Sequence, residues 1–440
     1  MKRIILSFLF ILSVVSSFAQ SANERVGNLI NSNDWFGLKE FYDTNTDSIH
    51  PFLDLFGHAM IAHFFNQSED AVNYCGQLMN HEQIDLGNLL SVSSLMAQNL
   101  NKLGRNDDAA STLEAVIEAI APHKSLVDTA TIQGLQTLIG LYRVQSPYNI
   151  NKLKPFGEKA TIPFTFAPVG PADKLSYVID VDGVINGHHH SITFDTGAGV
   201  NVISDSLAVA MGLEFLDFSA DVRGIGKQST RLAIARELTM GELTLYNVPF
   251  YVGTMMSGNS EADKHMAHFQ IMVGRTIMEA VKYLTIDFAN KEITVLSSSD
   301  IPLNVKTNLC NSDDGNYQLL CYTYDHTPLI VNPDTGDTSY GDLYPRVIPI
   351  LERFTRLEKA SDTIRMGGAG GWGEVPYYQI TDMPLTISDC TVTIPLFDVL
   401  AEDSPFDNQN GYDGIIGIDT FRLYKTISFD MSRMILYPTK

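Results

Sequence analysis

The stretch SITFDTGAGVNVIS (residues 191–204) puts one acidic side chain, Asp195, into a short apolar run and follows it at once with Thr196 and Gly197. An unpaired carboxylate in apolar surroundings is among the costliest groups a fold can bury. Asp195 therefore calls for a partner, and the chain supplies a candidate. A second Asp-Thr-Gly, Asp334-Thr335-Gly336, lies in LIVNPDTGDTSY (residues 329–340).

A shared triplet carries little weight; the order of the features behind it carries more. After Asp195 come VRGIGKQS (222–229), QIMVGRTIM (270–278) and YLTIDFANKEITVL (283–296). After Asp334 come RMGGAGGWGE (365–374), DGIIGIDTF (413–421) and KTISFDMSRMILYP (425–438). Asp195 precedes Gly274 by 79 positions and Asp334 precedes Gly417 by 83, and an Asp follows each of these glycines 13 positions later, at Asp287 and Asp430. Matching features in one order at nearly equal spacing predict a duplicated β unit. Its texture agrees: from about residue 161 onward, short β-branched and aromatic runs alternate with turn dipeptides. Asn186-Gly187 in YVIDVDGVINGHHHSITFD is the strongest hairpin signal, and ELTMGELTLYNVPFYV reads as another hairpin. His188, His189 and His190 follow the turn on consecutive strand positions, which point to opposite faces, so they are expected in solvent rather than on one metal ion.

Residues 22–145 carry a helical period instead. Ala109, Leu113, Val116, Ile117 and Ile120 recur on one face, with Glu114 and Glu118 on another. SEDAVNYCGQLM and NDDAASTLEAVI share a start signal at Asp70-Ala71 and Asp108-Ala109, a period that predicts stacked helical hairpins of tetratricopeptide type, with a plain bundle as the alternative. A Pro- and Gly-rich break follows. At the N-terminus, Lys2 and Arg3, the apolar run Ile4–Val15 and the small residues Ser17 and Ala19 read as a secretory signal peptide. The expected layout is a signal peptide over 1–19, a helical domain over 20–150, and β lobes over 161–299 and 300–440. The expected location is periplasmic or secreted.

The chain has 440 residues and a net charge of −21, which argues against nucleic acid and anionic membrane as partners. No further apolar run is long enough to span a bilayer. Of the four cysteines, Cys310 and Cys321 are either a loop disulfide or two buried free thiols.

Taken with their flanking segments, the two Asp-Thr-Gly copies resemble the lobes of an aspartic protease, and the compact, Gly-rich units are most similar to the retropepsin-like (retroviral-type) branch. The resemblance covers about residues 165–440. It implies a mainly β fold of two pseudo-symmetric closed lobes, with Asp195 and Asp334 as a proton-sharing catalytic pair. It assigns Thr196 and Thr335 to bonds that cross between the lobes. Gly197 and Gly336 would let backbone N–H groups approach the carboxylates. Gly224, Ile225 and Gly226, and in the second lobe Gly370, Gly371 and Trp372, would form flaps over a polypeptide substrate. No cofactor and no metal is implied. The second copy departs from the pattern: Asp337 stands where the first has Ala198, Asn332-Pro333 precede the Asp, and Asp419 replaces Thr276. A third carboxylate beside the pair raises its proton affinity. Two functions stay open: an aspartic endopeptidase, or a non-catalytic module that binds peptides or proteins in the same cleft. The helical domain is expected to dock a protein partner or present substrate, or else to cover the cleft like a propeptide.

Overall fold

The structure is a computed structural model that describes residues 21–170, 176–223, 227–253, 263, 267–313, 315–368, 371–401 and 411–440. The signal-peptide segment lies outside these residues. The chain divides into two units, 1–149 and 150–440.

In the first unit, helices Ala22–Asn31, Trp35–Thr44, Pro51–Phe64, Ser68–Met79, Leu86–Lys102, Asn106–Ile120 and Thr129–Gln145 each pack on the next. Their starts follow local chemistry. Ser21 and Glu24 form a reciprocal capping box, and the carboxylates of Asp34, Asp85 and Asp128 each accept a first-turn N–H. The apolar face read from sequence is the core face: Ala109, Leu113, Val116 and Ile120 are buried against Leu90, Leu100, Leu135 and Tyr142. Glu114, on the other face, is free to pair with Arg143 at 2.6 Å.

The second unit is built from strands laid down twice on one plan. In the first lobe, His188–Phe194 runs parallel to Ile271–Val273. Val202–Ile203 lies antiparallel to Ile271–Val273 and parallel to Leu243–Val252. In the second lobe, Thr327–Pro333 runs parallel to Gly414–Ile416, while Gly341–Leu343 pairs antiparallel with Gly414–Ile416 and parallel with Cys390–Leu400. The two-lobed β architecture behind a helical region is the one the duplicated sequence predicts. The Asn186-Gly187 turn has φ of 51° and 89°, both positive, as a tight hairpin of the observed twist requires. His188 and His189 beyond it are exposed.

Each lobe carries a long hairpin where a flap was expected. Glu214–Arg223 pairs with Lys227–Met240, closing at Arg223 opposite Lys227. Glu358–Gly368 pairs with Gly371–Ile387, closing at Gly368 opposite Gly371. The tip residues Gly224, Ile225, Gly226 and Gly370 lie outside the described residues. Gly371 and Trp372 open the returning strand of the second hairpin.

Away from the Asp-Thr-Gly loops, the lobes are joined in part by strand pairing. Tyr283–Asp287 pairs antiparallel with Thr426–Asp430, and the hydroxyls of Thr285 and Ser428 meet at 2.7 Å. These strands belong to the duplicated segments that end each copy, so the repeat closes on itself. Another joint is Arg275, buried and unremarked in the sequence. Its guanidinium donates to Glu279 at 2.9 Å in its own helix, and to the Asn316 carbonyl at 2.9 Å and Asn311 Oδ1 at 2.7 Å in the second lobe. It also lies 4.6 Å from the centre of the Tyr317 ring. The second copy has Ile418 at this position, so the device exists once.

Cys310 and Cys321 are buried free thiols. Register decides this: Cys310 stands opposite Gln318, and Cys321 opposite Leu329 on the next strand. Burial pushes the Cys75 thiol up to about 12.

Replacing Arg275 with Met would remove the buried guanidinium from the half-buried Glu279 carboxylate and from the buried Asn311 amide oxygen. The expected loss is about 3–5 kcal/mol of stability, the scale for breaking a buried pair. Denaturant unfolding of the variant measures it.

Candidate active site

Each Asp-Thr-Gly loop begins where a strand leaves its parallel neighbour. The N–H of Asp195 still bonds the Val273 carbonyl at 2.9 Å, and that of Asp334 bonds Ile416 at 3.0 Å. The chain then turns, and the two loops face each other. Asp195 is 8% exposed and Asp334 half-buried. Their carboxyl groups are hydrogen-bonded to one another.

The threonines lock this arrangement. The Thr196 N–H donates to Thr335 Oγ1 and the Thr335 N–H to Thr196 Oγ1, both at 3.0 Å. Each hydroxyl then donates across the axis: Thr196 to the Pro333 carbonyl at 2.9 Å, and Thr335 to the Phe194 carbonyl at 3.2 Å. Four buried groups are thus satisfied in a closed reciprocal set, which fixes the loops against sliding. The glycines serve close approach. A Cβ on Gly197 would sit 2.5 Å from Asp334 Oδ2, and one on Gly336 would sit 2.5 Å from Asp195 Cγ. Both N–H groups turn inward instead, Gly197 to Asp195 Oδ1 and Gly336 to Asp334 Oδ1, each at 2.8 Å.

Electrostatics separates the two carboxyls. Burial, and then the charge of Asp195, pushes Asp334 well above the ordinary carboxylate range. Burial raises Asp195 too, while hydrogen bonds from Asp334 and from the N–H groups of Gly197, Gly336 and Ala198 oppose that rise. The pair keeps one proton between its members, and Asp334 is the better holder.

The departures in the second copy find specific places. Pro333 lacks an N–H, but pairing with Tyr317–Thr323 runs only to Val331, so no neighbouring strand is deprived. Its carbonyl is the acceptor for Thr196. The Asp337 carboxylate is taken up locally, accepting from the Ser339 N–H at 2.9 Å and hydroxyl at 2.8 Å. The Asp337 N–H adds a second donor to Asp334 Oδ1 at 3.1 Å. Burial and the nearby Asp334 charge raise the Asp337 carboxyl to about 6. Asp419 pairs with Arg422 at 2.8 Å.

The loops bring Asp195, Thr196, Gly197, Asp334, Thr335 and Gly336 together. Gly224, Ile225, Gly226 and Gly370 are outside the described residues. Sequence reading marked Asn332 only as a departure from the pattern and passed over Asp342; both are buried polar residues of the second lobe. Among the described residues, no group of three or more His, Cys, Asp or Glu is placed to hold a metal ion. No helix among them is long and apolar enough to cross a membrane.

Residues 181–263 match the family model of the aspartyl proteases. No curated protein sequence matches the chain. Among solved structures it is similar to conglutin gamma, a basic 7S globulin from lupine seeds, at 10% identity over 64% of this chain and 95% of that one, with a TM-score of 0.37. Basic 7S globulin from soybean is similar at 10% identity over 64% and 96%, with a TM-score of 0.34. A retropepsin-like aspartic protease from Rickettsia conorii is similar at 15% identity over 33% and 93%, with a TM-score of 0.21. The segment that matches the aspartyl protease model lies in the first lobe, and the second lobe repeats that lobe's strand plan.

Proposed function

We propose that the second unit is an aspartic endopeptidase, acting on polypeptides held extended in the cleft between the lobes. The observation that carries this reading is the pair of carboxyls, hydrogen-bonded to each other and held by a reciprocal threonine grip. In the resting pair, Asp195 is the ionised partner and Asp334 holds the proton. Asp195 takes a proton from a water as the water oxygen attacks the scissile carbonyl carbon, and Asp334 gives its proton to the carbonyl oxygen. The tetrahedral diol then collapses. Asp195 passes its proton to the amide nitrogen, the C–N bond breaks, and a diol hydroxyl returns a proton to Asp334. Strand-like backbone bonding would hold the substrate, with the two long hairpins above it.

The composition of the N-terminal segment supports export, so the reaction is placed outside the cytoplasm in this proposal. The helical unit is proposed to dock a partner or present substrate; a cover role is excluded if its removal by limited proteolysis leaves activity unchanged.

Asp195→Asn and Asp334→Asn are each expected to lower hydrolysis of an unfolded protein by about 10²–10⁴-fold, the scale of general acid–base catalysis. Peptide binding without turnover by the native chain would instead support the binding-module reading. Activity unaffected by either change would defeat the protease reading.

Asp337 sets a pH dependence. Below about pH 6 its carboxyl is neutral and adds no charge beside the pair. Above that its negative charge opposes loss of the shared proton, so the active form persists to higher pH. Asp337→Ala keeps the N–H donated to Asp334 and removes the charge. The alkaline limb of the pH–rate profile is expected to move to lower pH, with the acid limb unchanged.

A further inference from the structure

The repeated strand plan gives each lobe a corresponding row of side chains, and the two rows differ in chemistry. Across the first lobe, strand register aligns Thr193, Met272, Val202, Tyr251 and Leu232. Across the second, the same register aligns Asn332, Ile415, Asp342, Asp398 and Gln379. Register partners share a sheet face, so each row is a continuous strip. The alternate positions Val331, Leu343 and Val399 fill the core, which leaves the second-lobe row on the other face. Asn332 stands two residues before Asp334, so the strip begins beside the carboxyl pair.

Where the first lobe has Val202 beside Tyr251, the second has Asp342 beside Asp398. Asp342 is 5% exposed and Asn332 is 6% exposed. Among the described residues, neither Asp342 Oδ2 nor Asn332 Oδ1 has a hydrogen-bond partner. The polar member of the first row is satisfied, since Thr193 donates to Asp180 at 3.0 Å. Asp398 accepts from Gln379 at 3.1 Å. Burial, and then the negative charges of Asp337, Asp398 and Asp334, push the Asp342 carboxyl well above the ordinary carboxylate range. Two unpartnered acceptors, buried in a strip of carboxylates, lack a cationic donor.

We propose that this strip is a side-chain subsite of the second lobe that takes a lysine or arginine residue of a bound polypeptide. The proposal rests on the cleft being the peptide site of the endopeptidase reading. An ammonium or guanidinium brings several donors and a compensating charge to Asp342 and Asn332, whereas an apolar side chain would leave both acceptors unpaired. A site built around buried polar groups discriminates strongly against a ligand that cannot bond them.

The test separates binding from turnover. The full chain carrying Asp195→Asn is titrated with fluorescent extended peptides, in pairs that differ only by lysine or norleucine at one position, scanned along the peptide. At one position lysine is expected to bind about tenfold or more tighter than norleucine. Adding Asp342→Val, the first-lobe residue, should bring that ratio close to one. Adding Asp342→Asn, which keeps shape and polarity without the charge, should reduce it and guards against a Val variant that misfolds. The proposal is overturned if no position favours lysine, if no peptide binds, or if the preference survives both Asp342 variants. Hydrolysis by the native chain is scored separately. Lysine selectivity without hydrolysis would reject the protease and keep the subsite, while hydrolysis without lysine selectivity would do the reverse.

Discussion

Two carboxyls held against each other repel when both ionise, and they lose hydration when buried, so something must hold them in place. Here the hydrogen bonds that reach Asp195 and Asp334 come from backbone N–H groups and from the carboxyls themselves. A cation would have stabilised both negative charges and removed the shared proton. Backbone dipoles stabilise one charge while leaving the second carboxyl protonated. The threonine grip makes the difference durable, because each loop is a hydrogen-bonding partner of the other and neither can shift alone.

Around that centre the fold is symmetric where geometry is needed and asymmetric where chemistry differs. The parallel step, the long hairpin and the closing strands recur in both lobes. Arg275, Asp337, Asp342 and Asp398 have apolar counterparts or a tyrosine at the corresponding positions. The first lobe donates the buried guanidinium that reaches across to Asn311 and Asn316, and the second collects the carboxylates. The two lobes therefore share a plan and differ in charge.

Much of this was legible in the chain. Asp195 and Asp334 are marked by identical triplets, and the segments behind them by matched spacing, because duplication preserves order even when side chains drift. Asn186-Gly187 announced its hairpin because positive φ at two successive residues has few solutions. The rest depended on register. Nothing local shows that Asp342 lies beside Asp398, since that pairing joins strands from separate parts of the chain, and Cys310 opposite Gln318 depends on the register of a short hairpin. Arg275 was readable only as a mismatch with Ile418, and its partners Asn311 and Asn316 lie beyond the lobe boundary. The setting of Asp337 was nearer to hand: Ser339, two residues on, is the short-range partner that an Asp in a turn takes up.

The lobes also follow one another in a single polypeptide, and Tyr283–Asp287 meets Thr426–Asp430 within the same molecule. A site assembled from two separate copies forms by a second-order encounter and dissolves on dilution. Here assembly is first order, with an effective concentration set by the connecting segment rather than by how much protein is present. A tethered second half can therefore lose the self-complementarity that an identical pair must keep, and each half is free to accumulate changes that a homodimer would suffer twice.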